Sequence, residues 1–191
     1  DLLMRGDFLE SFRAGMRRVV ISRLVSALMV MGIIGSPWQT NVFGGILTST
    51  YLGGANNWNN AGSWSLGSVP NGPLFVVFSS SGTNTLDISP SVFSLNMGNA
   101  NAAIIASSPQ TITITSGLTW SAGRLGDNVT LKIPSGSILG SVNLQSAILN
   151  LSGTLNHSVG NITVDSGRTP DFNILSGGIY DMSFSGQING A

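Results

Sequence analysis

The side chains of this chain that could do chemistry are few: a handful of aspartates, one histidine, and two tryptophans set close together. Beyond residue 35 the acidic side chains are Asp87, Asp127, Asp165, Asp171 and Asp181, with no glutamate. Asp165 and Asp181 are separated by nearly the spacing of a repeat, and Asp171 lies between them. If the chain winds back on itself at that interval, the three would share one face and could hold calcium or act as a carboxylate pair. Glycoside hydrolysis needs two carboxyl groups about 5–10 Å apart, and a polysaccharide lyase would add a base near bound calcium, for which Arg168 is the local candidate. The plainer reading is that "DSG" at 165–167 and "PDF" at 170–172 are turns.

His157, in "TLNHSVG", is the sole histidine. A Ser-His-Asp set has no G-x-S-x-G elbow to hold its serine. Zinc lacks partner ligands, and neither phosphate-cradling glycine motif nor the G-G-x-G-x-D calcium repeat is present. No catalytic residue, metal or cofactor is assigned from the sequence, and no enzymatic activity is expected.

Trp58 and Trp64 sit in "NNWNNAGSWSLGSVPNG", among asparagine, glycine and serine. Two roles are open to them: a stacking platform for glycans, or a lid over an apolar interior that begins just afterward. Leu66, Val69 and Pro70 follow closely, which favours the lid.

Composition narrows the partners. Charged residues make up 8% of the 191, against about 25% in an average globular protein. After the first apolar run the only cations are Arg124, Lys132 and Arg168. Phosphate binding needs clustered cations, so a nucleic-acid partner is excluded. Without glutamate and with little lysine the body is not helical. There is no cysteine, hence neither disulfide nor thiolate site.

The charges that do cluster lie near the start. From Met16 the chain reads "MRRVVISRLVSALMVMGIIGSPW": a basic Arg17-Arg18 pair, an apolar stretch from Leu24 to Gly35, then a break at Pro37. That is the form of an export signal over 16–36, and it is shorter than the roughly 20 apolar residues that span a bilayer. Residues 1–15 read as an upstream segment outside the mature protein, and 37–72 as a linker and N-terminal cap. The expected location is secreted or cell-surface, with membrane contact only through the leader or an anchor beyond Ala191.

From residue 73 to 191 the chain is a train of short β-branched runs: "LFVVF" at 74–78, "TITIT" at 111–115, "VTLKI" at 129–133, "AILNL" at 147–151 and "IYDMSF" at 179–184. Ser-Gly recurs between them, ending at Gly117, Gly136, Gly153, Gly167, Gly177 and Gly186. Intervals near one winding of a β-solenoid imply parallel strands stacked turn on turn around a shared apolar interior. Neutral outer rows fit that architecture, because like charges on successive turns would lie about 4.8 Å apart. A β-sandwich is the rival, since it too has short strands at close intervals, but it explains neither the Ser-Gly marker nor the missing lysine and glutamate.

"NWNNAGSWSLGSVPNG", "SVFSLNM", "GLTWSAGRLGDNVTLKIPSGSILG", "LSGTLNHSVGNITVDSG" and "GGIYDMSFSGQING" resemble the repeat style of large secreted bacterial β-helix surface proteins. They are similar to the passenger regions of filamentous-haemagglutinin-like and autotransporter adhesins. The resemblance implies an all-β, right-handed parallel β-helix, export, and a structural or adhesin-like role whose partners are surface glycans or host matrix proteins. It also implies that the chain is the front portion of a longer protein, because the repeats stop in mid-pattern at "SGQINGA". It carries no site residues across. The alternative function is a carbohydrate-binding or pectate-lyase-like domain on the same scaffold.

Overall fold

A computed structural model describes residues 45–183 and 186–190. The segment 1–15 and the expected leader at 16–36 lie outside the described residues. Those described form a parallel β-solenoid. The opening turn holds β1 (Thr48–Thr50) and β2 (Gly54–Asn57), followed by a single 3₁₀ turn at Ala61–Ser63. Next come β3 (Gly72–Phe78) with β4 (Gly82–Thr85), β5 (Ser91–Met97) with β6 (Ala102–Ile105), and β7 (Gln110–Trp120) with β8 (Arg124–Leu125). Two turns then carry three strands each: β9 (Val129–Ile133), β10 (Gly136–Leu139) and β11 (Val142–Leu144), then β12 (Ile148–Leu151), β13 (Thr154–Val159) and β14 (Ile162–Val164). The last has β15 (Asp171–Ile174), β16 (Ile179–Met182) and β17 (Ile188–Gly190).

Strand pairing between turns is parallel and generates three faces. Face A stacks β9, β12 and β15 on the first half of β7. Face B runs β1-β3-β5-β7-β10-β13-β16, and face C runs β17-β14-β11-β8-β6-β4-β2. The parallel ladders remove the β-sandwich alternative, whose sheets are antiparallel. Parallel stacking begins at Thr48, which lies on Phe75, within the stretch 37–72.

Alternation along each strand puts one set of side chains inside. On face B, Phe78, Met97, Trp120, Ile138 and His157 form one interior column by register, and all five are buried. Ile112, Leu131, Leu149 and Phe172 form another on face A. Outside, the columns are short and polar. Asn96, Thr119, Ser137, Asn156 and Asp181 follow one another up face B. On face A, Asn173 Nδ2 donates to Asn150 Oδ1 at 3.0 Å, a bond from one turn to the next that neutral amides allow.

Turn length varies more than a strict repeat. The winding that carries Thr119 onto Ser137 is short, whereas the one that carries Asn156 onto Asp181 is distinctly longer. Four marker glycines, Gly117, Gly136, Gly153 and Gly177, fall at the corner between faces A and B. Gly167 lies between β14 and β15, and Gly186 between β16 and β17. The corner demands glycine where turns approach most closely: a Cβ on Gly136 would sit 2.5 Å from the Leu118 carbonyl oxygen, and one on Gly153 would collide with the carbonyl oxygen of Pro134.

Candidate functional surface

Trp58 and Trp64 are 0% and 1% exposed. Their rings meet edge to face, with centroids 4.8 Å apart, and both pack against Phe78 beside Tyr51. Each buried indole N–H has an acceptor: Trp58 Nε1 donates to the Pro70 carbonyl at 3.0 Å, and Trp64 Nε1 to the Trp58 carbonyl at 2.8 Å. The segment after the 3₁₀ turn also folds back along β1. Leu52 N–H donates to Ser63 O and Ser65 N–H to Thr50 O, while Tyr51 and Trp64 form an antiparallel bridge. Neither indole offers a face to solvent, so the glycan-stacking role is corrected: a sugar cannot stack on a ring whose faces are occupied.

The acidic trio is not brought together, and this too is a correction. Asp165 follows β14 on face C, Asp171 opens β15 on face A, and Asp181 is on β16 of face B. Their spacing falls short of one turn here, because the connections before β15 and β16 lengthen that winding until Asp181 lies on Asn156. Among the described residues no group of three or more His, Cys, Asp or Glu side chains could hold a metal ion.

Asp165 is instead the acceptor of a polar cluster on face C. Asn143 Nδ2 donates to its Oδ1 at 2.6 Å and Gln145 Nε2 to its Oδ2 at 2.8 Å. These two bonds, assisted by Arg124 and Arg168, hold its carboxyl below the usual carboxylate range, since they favour the charged form. Such a group is a poor proton donor near neutrality. Arg168 pairs with Asp127 at 2.6 Å in a solvent-exposed ion pair, of a kind that contributes little to stability.

His157 is fully buried on β13, with Nδ1 2.6 Å from the Tyr180 hydroxyl of the next turn. Burial pushes its pKa below 6.5, against opposing backbone hydrogen bonds at Val159 and Gly160. Burial likewise raises that of Tyr180. The imidazole belongs to the interior column and has no solvent-facing side from which to serve a substrate.

Among the described residues, hollows on the outer surface include two that span adjacent turns. One, of about 370 Å³ on face C, is lined by Thr83, Asn101, Gly123, Arg124 and Asn143 among others. The second, of about 440 Å³, crosses several turns at the start of face B, from Phe75 through Ser94, Gly117 and Thr119 to Ser137 and Asn156. Sequence reading misses it, because its residues lie about a turn apart in the chain. The Ser-Gly dipeptide is the available signal, and it reads first as a turn marker.

Among the described residues no helix is long and apolar enough to cross a membrane. Comparison of the chain with protein-family models, curated proteins and solved structures gave no match.

Proposed function

We propose that this chain is an exported β-solenoid segment with a structural or adhesin-like role at the cell surface, working by presenting a long neutral face and catalysing no reaction of its own. One observation supports this above the rest: on face B the uncharged, polar side chains Asn96, Thr119, Ser137 and Asn156 stand outward in register on four successive turns. That pattern tolerates indefinite stacking and presents the same chemistry along the axis. The basic, then apolar, stretch at 16–36 supports export.

The test is expression of the full chain in a bacterial host, with fractionation and protease treatment of intact cells. The expected outcome is material outside the inner membrane whose solenoid resists digestion. Retention of all the protein inside the cell contradicts the role. Reducing-sugar release from polysaccharides, abolished by Asp165→Ala or Asp181→Ala, would replace it with the carbohydrate-active alternative.

A further inference from the structure

The corner between faces A and B carries a feature that a purely structural role does not require. Register lines up Phe75, Ser94 and Gly117 on successive turns. Leu118 N–H donates to the Ser135 carbonyl at 2.9 Å, and Ser135 Oγ donates to the Ser116 carbonyl at 2.7 Å, which closes the next turn on this column. Gly117 lowers the floor: a Cβ there would meet nothing nearer than 3.7 Å, so no packing need excludes a side chain, and the hollow exists because none is present. Beside this row run Thr119, Ser137 and Asn156. The result is a furrow along the solenoid axis with an aromatic ring at one end. Phe75 is 37% exposed and is held edge to face by Phe93, with centroids 5.2 Å apart.

We infer that this furrow binds a neutral, unbranched polysaccharide laid along the axis, with a sugar ring against Phe75 and its hydroxyls on Ser94, Thr119, Ser137 and Asn156. The proposal deepens the reading of the outer faces as the working surface and rests on it.

Three properties select this ligand class. Among the described residues no ionisable side chain lines the furrow, so nothing there compensates an anionic or cationic ligand. Among the described residues the hydroxyls of Ser94, Thr119 and Ser137 have no protein partner, which leaves both their donors and acceptors for a polyhydroxylated chain. Thr119 and Ser137 stand in register on adjacent turns, about 4.8 Å apart, and Ser94 lies on the neighbouring row one turn earlier, so a ligand that repeats its own hydroxyls can be held on successive turns. An extended peptide fits less well. The strands beneath are paired on both sides by neighbouring turns, which removes the free backbone edge that strand addition uses.

Affinity electrophoresis of the full chain through gels containing hydroxyethyl cellulose, linear mannan or, as the acidic contrast, polygalacturonate provides the test. At least one neutral polymer is expected to retard the protein, equally at low and high salt, because no ionic contact is there to be screened. Gly117→Leu fills the floor and Phe75→Ala removes the ring; each is expected to weaken retardation by about tenfold. Circular dichroism and protease resistance identify variants that have lost the fold, and Ser137→Leu, on the neighbouring row, gives a second block. No retardation by either neutral polymer, retardation by polygalacturonate alone, or retardation indifferent to all three substitutions overturns the proposal. Failure of the furrow is separable from failure of the surface role: an exported, protease-resistant chain that ignores the neutral polymers sinks only the furrow, while one that binds them but stays inside the cell sinks only the surface role.

Discussion

Glycine at the A–B corner serves different ends at different turns, and single substitutions separate them. Gly136→Ala forces a methyl against Leu118, whose carbonyl oxygen and Cβ stand 2.5 and 2.9 Å from the added atom. The expected cost is about 1–3 kcal/mol, as for other overpacked sites. Gly117→Ala meets only ordinary contacts at 3.7 Å and should leave stability unchanged or raise it by up to about 1 kcal/mol through the unfolded chain. Urea unfolding of the two variants checks the contrast; equal losses would mean that the turns do not approach as described. His157 supplies a pH handle. Burial favours its neutral form in the folded chain, so the unfolded chain takes up its proton first, near 6.5. Its contribution is therefore complete above that pH and declines as the pH falls toward the lower folded-state value. His157→Met should flatten the urea midpoint between pH 7 and 5, while the parent chain loses stability over the same interval.

At the level of elements, the aromatic plug is the costliest place to intervene. Trp64 is buried against Trp58, Phe78 and Tyr51 and donates one indole hydrogen bond, so Trp64→Ala should cost about 3–5 kcal/mol. In the intact chain acrylamide should quench Trp58 and Trp64 poorly, and rapid quenching of both would contradict a plug. Charge along a face is a second lever. Asn150 stands between Lys132 and Asn173 by register, so Asn150→Lys stacks two ammonium groups on adjacent turns. A loss of about 0.2–1 kcal/mol is expected, larger at low salt, measured as a shift of the unfolding midpoint with ionic strength. Elements rich in β-branched residues are readable from the chain: "VTLKI" is β9 residue for residue, and "TITIT" falls within β7. Face C is not, because its strands are brief and include "GTNT" and "RL", too short and too polar to show alternation.

For the molecule as a whole, the stacking principle follows from composition and the Ser-Gly marker, whereas the position of any site does not. Turns of unequal length defeat inference from spacing alone, which is why Asp165 and Asp181 read as a pair in the chain and are not one in the fold. That Phe75 and Gly117 share one column has no signal in the sequence, because only register brings them together; the Ser-Gly marker at Gly117 reads as a turn. The first and last described turns differ as well: buried aromatic rings pack together in the opening turn, while Ile174, Ile179 and Ile188 of the last described turn are more than half exposed. Stability in such a molecule is shared between neighbours, so everything depends on parallel turns lying in register. The absence of cysteine makes that directly measurable. In a chain bearing Thr119→Cys and Ser137→Cys the two α-carbons lie one turn apart, about 4.8 Å, within reach of a disulfide. With Thr119→Cys and Asn156→Cys they lie two turns apart, beyond the roughly 7 Å limit. Mild oxidation should cross-link the first pair and leave the second reduced; ready cross-linking of the second, with none in the first, would contradict the stacked parallel register.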